Sequence, residues 1–174
     1  DFSRSGHAWV VTETAMIQIA MGRLFDADDT LRRAYALYKK YELTEDMMVD
    51  FYRRVGSLRF NEGHYAESQK VYEMVLAIQK RQGFNPASAQ ILYTRNGINM
   101  TLIAQKRWRE ALAQYDEIDT LTWRSNSLLN IARQTEPRAM TYLNTGKVPQ
   151  ALQLMTGTLR WHVNNFGEDH YYTA

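Results

Sequence analysis

The sequence predicts an all-α fold, a solenoid of about four helix-turn-helix hairpins. A turn residue followed five places later by a small one occurs four times, as Gly22 and Ala27, Gly63 and Ser68, Lys106 and Ala111, Gly146 and Ala151. The turns lie 41, 43 and 40 residues apart. A fixed period of that length marks stacked repeats, because each unit is too small to bury its own apolar face. Bulky residues keep the same register. Leu24, Tyr65, Trp108 and Val148 come two places after each turn, and Leu31, Tyr72, Tyr115 and Met155 four places after each small residue.

Taken in order, the repeats span roughly 8–43, 44–86, 87–124 and 125–166, within one domain, and 167–174 begins a further one. The first opens inside its own helix A, around 8–21, and continues through Asp26 and Ala27 into a second helix. In the second repeat, apolar residues at intervals of three and four predict helix A over 46–62 and helix B over 65–82. Thr44 is placed to cap helix A through its side chain, and Gly83 followed by Pro86 stops helix B. The third repeat predicts helices over 87–105 and 108–121. In the fourth, Pro137 falls within the expected helix A and predicts a kink or restart, with 125–135 as a separate turn or bent extension. The small residues are expected where helix B meets helix A most closely, because a larger side chain there would overpack by ~1–3 kcal/mol. The bulky residues then fill the space between hairpins.

Composition removes several function classes. The net charge is only +2 and neither sign forms a block, against a nucleic-acid or membrane-surface protein. With no cysteine there is no disulfide, thiol catalyst or cysteine-ligated zinc, and a reducing, cytoplasmic location is expected. No apolar run approaches the ~20 residues of a membrane span. His7, His64, His162 and His170 lie far apart without metal-ligand spacing, so no metal or other cofactor is expected. Glu168, Asp169 and His170 read as a capping or turn segment ahead of an acid–base cluster. The chain starts at Asp1 and ends in what reads as the lead-in to another helix, so a piece of a longer protein is expected.

With the turn, small and aromatic positions in place, the chain resembles the tetratricopeptide repeat (TPR) family. The clearest stretch runs from Gly63 to Tyr72 and is similar to that family's Gly-x-Tyr-x-Glu-Ala-x-x-x-Tyr core, with Ser68 in place of Ala. Residues 108–115 match equally well, with Lys106 in place of the turn Gly. The long period resembles the repeats of kinesin light chains and of many bacterial signalling proteins. In the latter such arrays often precede a caspase-like protease domain of the CHAT type. The resemblance implies a right-handed superhelix with a concave face lined by the A helices, where the family binds peptides or partner domains. It implies no catalytic activity.

Aligning the repeats places four rows on that face. They are Trp9, Thr12, Met16 and Ile19; Asp50, Arg53, Ser57 and Phe60; Tyr93, Asn96, Met100 and Ile103; and Arg133, Glu136, Met140 and Leu143. From these the candidate partner-binding residues are Trp9, Met16, Arg53, Ser57, Phe60, Tyr93, Asn96, Met100, Arg133 and Glu136. The methionines fit either an adaptable surface or interhelical core, whereas Ile19 and Ile103 read as core. The family's best-known clamp for a C-terminal carboxylate needs Lys and Asn where this chain has Thr12 and Met16, so that mode is not expected. Two readings stay open at this point. One is an interaction domain holding a peptide segment, a partner or its own effector domain. The other is a sensory module binding a small ligand in a pocket enclosed by Trp9, Met16, Phe60 and Tyr93, and controlling a neighbouring output domain.

Overall fold

The computed structural model describes residues 2–122 and 135–167. Eight α-helices are described: α1 (Phe2–Ala20), α2 (Leu24–Lys40), α3 (Val49–Asn61), α4 (Tyr65–Arg81), α5 (Ala89–Ala104), α6 (Trp108–Thr122), α7 (Thr135–Asn144) and α8 (Val148–Phe166). No strand occurs among the described residues, and none of these helices is long and apolar enough to cross a membrane. The chain forms two compact units, residues 1–105 and 106–174.

The hairpin turns follow the sequence pattern. Gly22, Gly63 and Gly146 take φ of 72°, 83° and 77°, the left-handed conformation that ends a helix. Lys106, at the same register, takes φ 59° and meets the demand with a side chain. The turn after α3 shows the hydrogen-bond reason: Gly63 N–H donates to Phe60 O and His64 N–H to Arg59 O, at 3.0 and 2.8 Å. Two orphan carbonyls at the helix end are satisfied this way. Gly83 repeats the device after α4, where Phe84 N–H donates to Gln79 O.

Thr44 differs from expectation. It precedes a 3₁₀ turn, Glu45–Met48, rather than α3 itself, and its side chain makes no capping bond. Its carbonyl accepts from Met47 N–H instead, so the backbone supplies what the hydroxyl was expected to supply. Ser88 does cap, its hydroxyl accepting from Ile91 N–H at the start of α5. Pro137 sits in the first turn described for α7, where a helix needs no N–H from it. The expected turn or bend before Thr135 lies outside the described residues.

In the first unit, α1 packs on α2 and α3 on α4; α3 also rests on α1 and α2, and α5 on α4 and α3. The A helices α1, α3 and α5 thus form one layer and the B helices α2 and α4 another. Ala27 and Ser68 are fully buried between them, so the small positions are where the helices nest. Ser68 keeps its hydroxyl satisfied by donating to the Gly56 carbonyl across the hairpin at 2.7 Å. Thr12, assigned by alignment to the open face, is instead buried, and Ile19 is buried in keeping with its reading as core. Thr12 donates to the Ala8 carbonyl, and Ile19 joins the core with Leu31, Phe51 and Leu58.

In the second unit, α8 returns against α7, and α7 packs on α6. Arg138 ties α7 to α6. It donates to Asp119 at 2.7 Å and lies 5.3 Å from the centre of the Tyr115 ring. Ala111 and Ala151 are buried, as their register requires.

Candidate functional site

The A-helix layer of the first unit carries a cleft of about 170 Å³ lined by Ser57, Phe60, Tyr72, Tyr93, Asn96, Gly97 and Met100. Its rows come from α3 and α5, and its floor from α4. The floor is Tyr72, a buried side chain that reaches between α3 and α5. Two glycines make room for it. A Cβ on Gly56 would lie 3.1 Å from the ring, and one on Gly97 would lie 2.7 Å from it. The ring is therefore held between two bare stretches of helix backbone. Burial, with Tyr93 adding to it, raises the phenol above its ordinary range against an opposing hydrogen bond to Ser57.

A polar line runs beside the cleft. Arg54 holds Glu13 with a forked contact, at 3.0 Å to one carboxylate oxygen and 2.8 Å to the other. These residues occupy equivalent places on α3 and α1, and both side chains are largely buried. Burial works against the Arg54 charge, but the Glu13 hydrogen bonds and charge outweigh it and raise its pKa. The other end of Arg54 donates to the Tyr93 hydroxyl on α5 at 3.4 Å. One guanidinium thus spans all three A helices.

Arg53 lies next to this line. It pairs with Asp50, and its guanidinium stands 5.1 Å from the centre of the Tyr93 ring. Burial first, and the adjacent Arg54 charge second, lower its pKa. Its Nε is buried with no hydrogen-bond partner, and so is the amide oxygen of Asn96 at the cleft wall. A buried acceptor left unpaired costs ~1–3 kcal/mol, so the cleft favours an occupant that brings a donor.

Of the sequence candidates, Ser57, Phe60, Tyr93, Asn96 and Met100 come together here with Arg53 at the edge. Trp9 and Met16 are exposed on α1 and do not line the cleft. Glu136 is exposed on α7 in the second unit, and Arg133 lies outside the described residues. Tyr72, Gly97, Glu13 and Arg54 are additions from the structure. Two signals for them stood in the sequence: glycines inside otherwise strong helices, and opposite charges 41 residues apart, one repeat length.

No metal-holding group of three or more acidic or histidine side chains occurs among the described residues. The chain matches no family model and no curated protein by sequence. Solved structures do match. The crystal structure of the nearly identical TPR-like repeats of a candidate kinesin light chain from Podosopora anserina has a TM-score of 0.77 at 17% identity. It covers 97% of this chain and 81% of that one, and a single-substitution form of it gives the same values. Aspartyl phosphate phosphatase F from Bacillus subtilis has a TM-score of 0.76 at 13% identity, over 92% of this chain and 41% of its own. At such identities the likeness establishes the architecture: this chain has the TPR-like helical-repeat fold.

Proposed function

We propose that this chain is a non-catalytic protein-interaction module. It takes a peptide segment, from a partner or from an effector domain of its own protein, on the A-helix face of the first unit. The observation that carries this is the unpaired Asn96 amide oxygen, buried at the wall of a side-chain-sized cleft. A peptide offers both things the cleft lacks, a backbone N–H for Asn96 and an apolar side chain to lie against Phe60, Tyr72 and Met100. Arg53, poised on the Tyr93 ring, orients a carbonyl or carboxylate of the same segment, and Trp9 and Met16 extend the surface along α1. The cleft is small beside the ~300–1,000 Å³ of a typical metabolite pocket, which favours a peptide over a small ligand.

Selection from a displayed peptide library, with counter-selection on an Asn96→Ala/Arg53→Ala variant, tests the reading. Peptides that bind the parent chain at least about tenfold tighter than the variant are expected, with amide shifts at Tyr93, Asn96, Gly97 and Met100. Because Asn96→Ala removes an unpaired acceptor, its thermal stability should not fall. Equal binding to both proteins, or peptides whose shifts map elsewhere, would reject the site. A role as the regulatory arm of a larger protein is a finer form of the proposal. It predicts that the selected peptides resemble a segment of that protein.

A further inference from the structure

Tyr93 is the least enclosed wall of the cleft, 43% exposed, so packing covers little more than half of it. A tyrosine ring swings about two side-chain torsions, and contacts at its face and its far end are what fix its direction. Both come from α3. The Arg53 guanidinium stands 5.1 Å from the ring centre, and Arg54 donates to the hydroxyl at 3.4 Å.

Arg54 is itself aimed by a residue of another helix. A guanidinium has three nitrogens, and here they are divided between two partners. Nε and one terminal nitrogen serve the Glu13 carboxylate, with contacts of 3.2, 3.0 and 2.8 Å, which leaves the other terminal nitrogen for Tyr93. The two side chains are only 12% and 21% exposed, so water and salt compete weakly for them. The repeat register shows why this row ends at the cleft. Glu13, Arg54 and Gly97 each lie nine residues before a turn, on α1, α3 and α5. Where α5 would supply the next link it has no side chain, and the Tyr72 ring takes that space.

We infer that Glu13 and Arg54 are positioning residues for the cleft: the carboxylate on α1 aims the guanidinium on α3, which holds the Tyr93 wall in its binding pose. Neither residue lines the cleft, so their effect passes through Tyr93. The inference rests on the peptide-binding reading, because it states what preorganises that same site.

Two readouts on the whole chain test it: the ring resonances of Tyr93 in the free protein, assigned by Tyr93→Phe, and the affinity for the tightest peptide selected on the parent chain. Glu13→Gln and Arg54→Lys are the variants. A lysine keeps the charge beside Glu13 but has one nitrogen, and cannot serve both partners. In each variant the Tyr93 resonances should move toward those of free tyrosine, and the peptide should bind at least about tenfold more weakly. Asp28→Asn is the control. It breaks the 3.4 Å pair from α2 to Arg59 on α3, away from the cleft, and should leave both readouts unchanged even where thermal stability falls. Unchanged Tyr93 resonances in Glu13→Gln and Arg54→Lys, or the same loss of binding in Asp28→Asn, would overturn the inference. If no peptide binds the parent chain, the interaction reading fails, and the Tyr93 resonances alone decide whether Glu13 and Arg54 set that wall. Should Glu13→Gln lose helicity by circular dichroism, Arg54→Lys carries the test with the same outcomes required.

Discussion

Gly97→Ala is a substitution for which helix propensity and tertiary packing give opposite answers. In a helix interior Ala is favoured over Gly by ~0.5–1 kcal/mol, so the local expectation for α5 is a gain. The added Cβ, however, would lie 2.7 Å from the Tyr72 ring, about 0.8 Å short of the ~3.5 Å at which carbon atoms rest in contact. The ring has little room to retreat, since the Gly56 position also approaches it, at 3.1 Å. Overpacking of this kind costs ~1–3 kcal/mol, and a rigid ring crowded from two helices places the cost toward the upper end. The net expectation is a loss of about 1–2 kcal/mol, or roughly 2–8 °C in Tm. Urea unfolding followed by circular dichroism measures it. Gly157→Ala, in α8 with nothing near its Cβ position, is the control and should gain up to about 1 kcal/mol. In a Tyr72→Leu background the Gly97→Ala penalty should vanish or reverse. A Gly97→Ala protein as stable as its parent, or a penalty indifferent to residue 72, would refute the account of the cleft floor.

Three other outcomes follow from the same contacts. Arg54→Ala should cost about 2–3 kcal/mol with little salt dependence, since it leaves the largely buried Glu13 charge unpaired; adding Glu13→Gln should recover much of it in urea titrations. Ser68→Ala should stay within about 1 kcal/mol of the parent, whereas Ser68→Val should lose ~1–3 kcal/mol by forcing α4 away from α3, as thermal melts would show. Tyr38, Tyr72 and Tyr115 all have phenols raised from 10.0 by burial, so above about pH 10 the unfolded chain releases protons that the folded chain keeps. Stability should therefore fall as pH rises, by at most roughly 1.4 kcal/mol per pH unit for each such group, and Tyr72→Phe should make the measured slope shallower.

The candidate site was legible in part. The alignment of repeats was enough to collect Ser57, Phe60, Tyr93, Asn96 and Met100, because residues at equivalent places on parallel helices share a face. It failed at Thr12, which carries the same row label yet lies inside. A row at the edge between open face and core can turn either way with a small rotation of its helix. Tyr72 was recognised as a filler between hairpins, but not as the floor of a cleft. That role depends on two glycines in other helices.

The period, the turns and the small positions were determined by sequence alone. They are local chemistry repeated: a left-handed turn residue, a side chain small enough for two helices to nest, and apolar spacing matched to the helical pitch. Tertiary structure decided the fork from Arg54 to Glu13, the clamping of Tyr72 and the unpaired Asn96 oxygen. Each depends on distances between helices far apart in the chain, set by the packing of side chains together, and no single repeat contains that information.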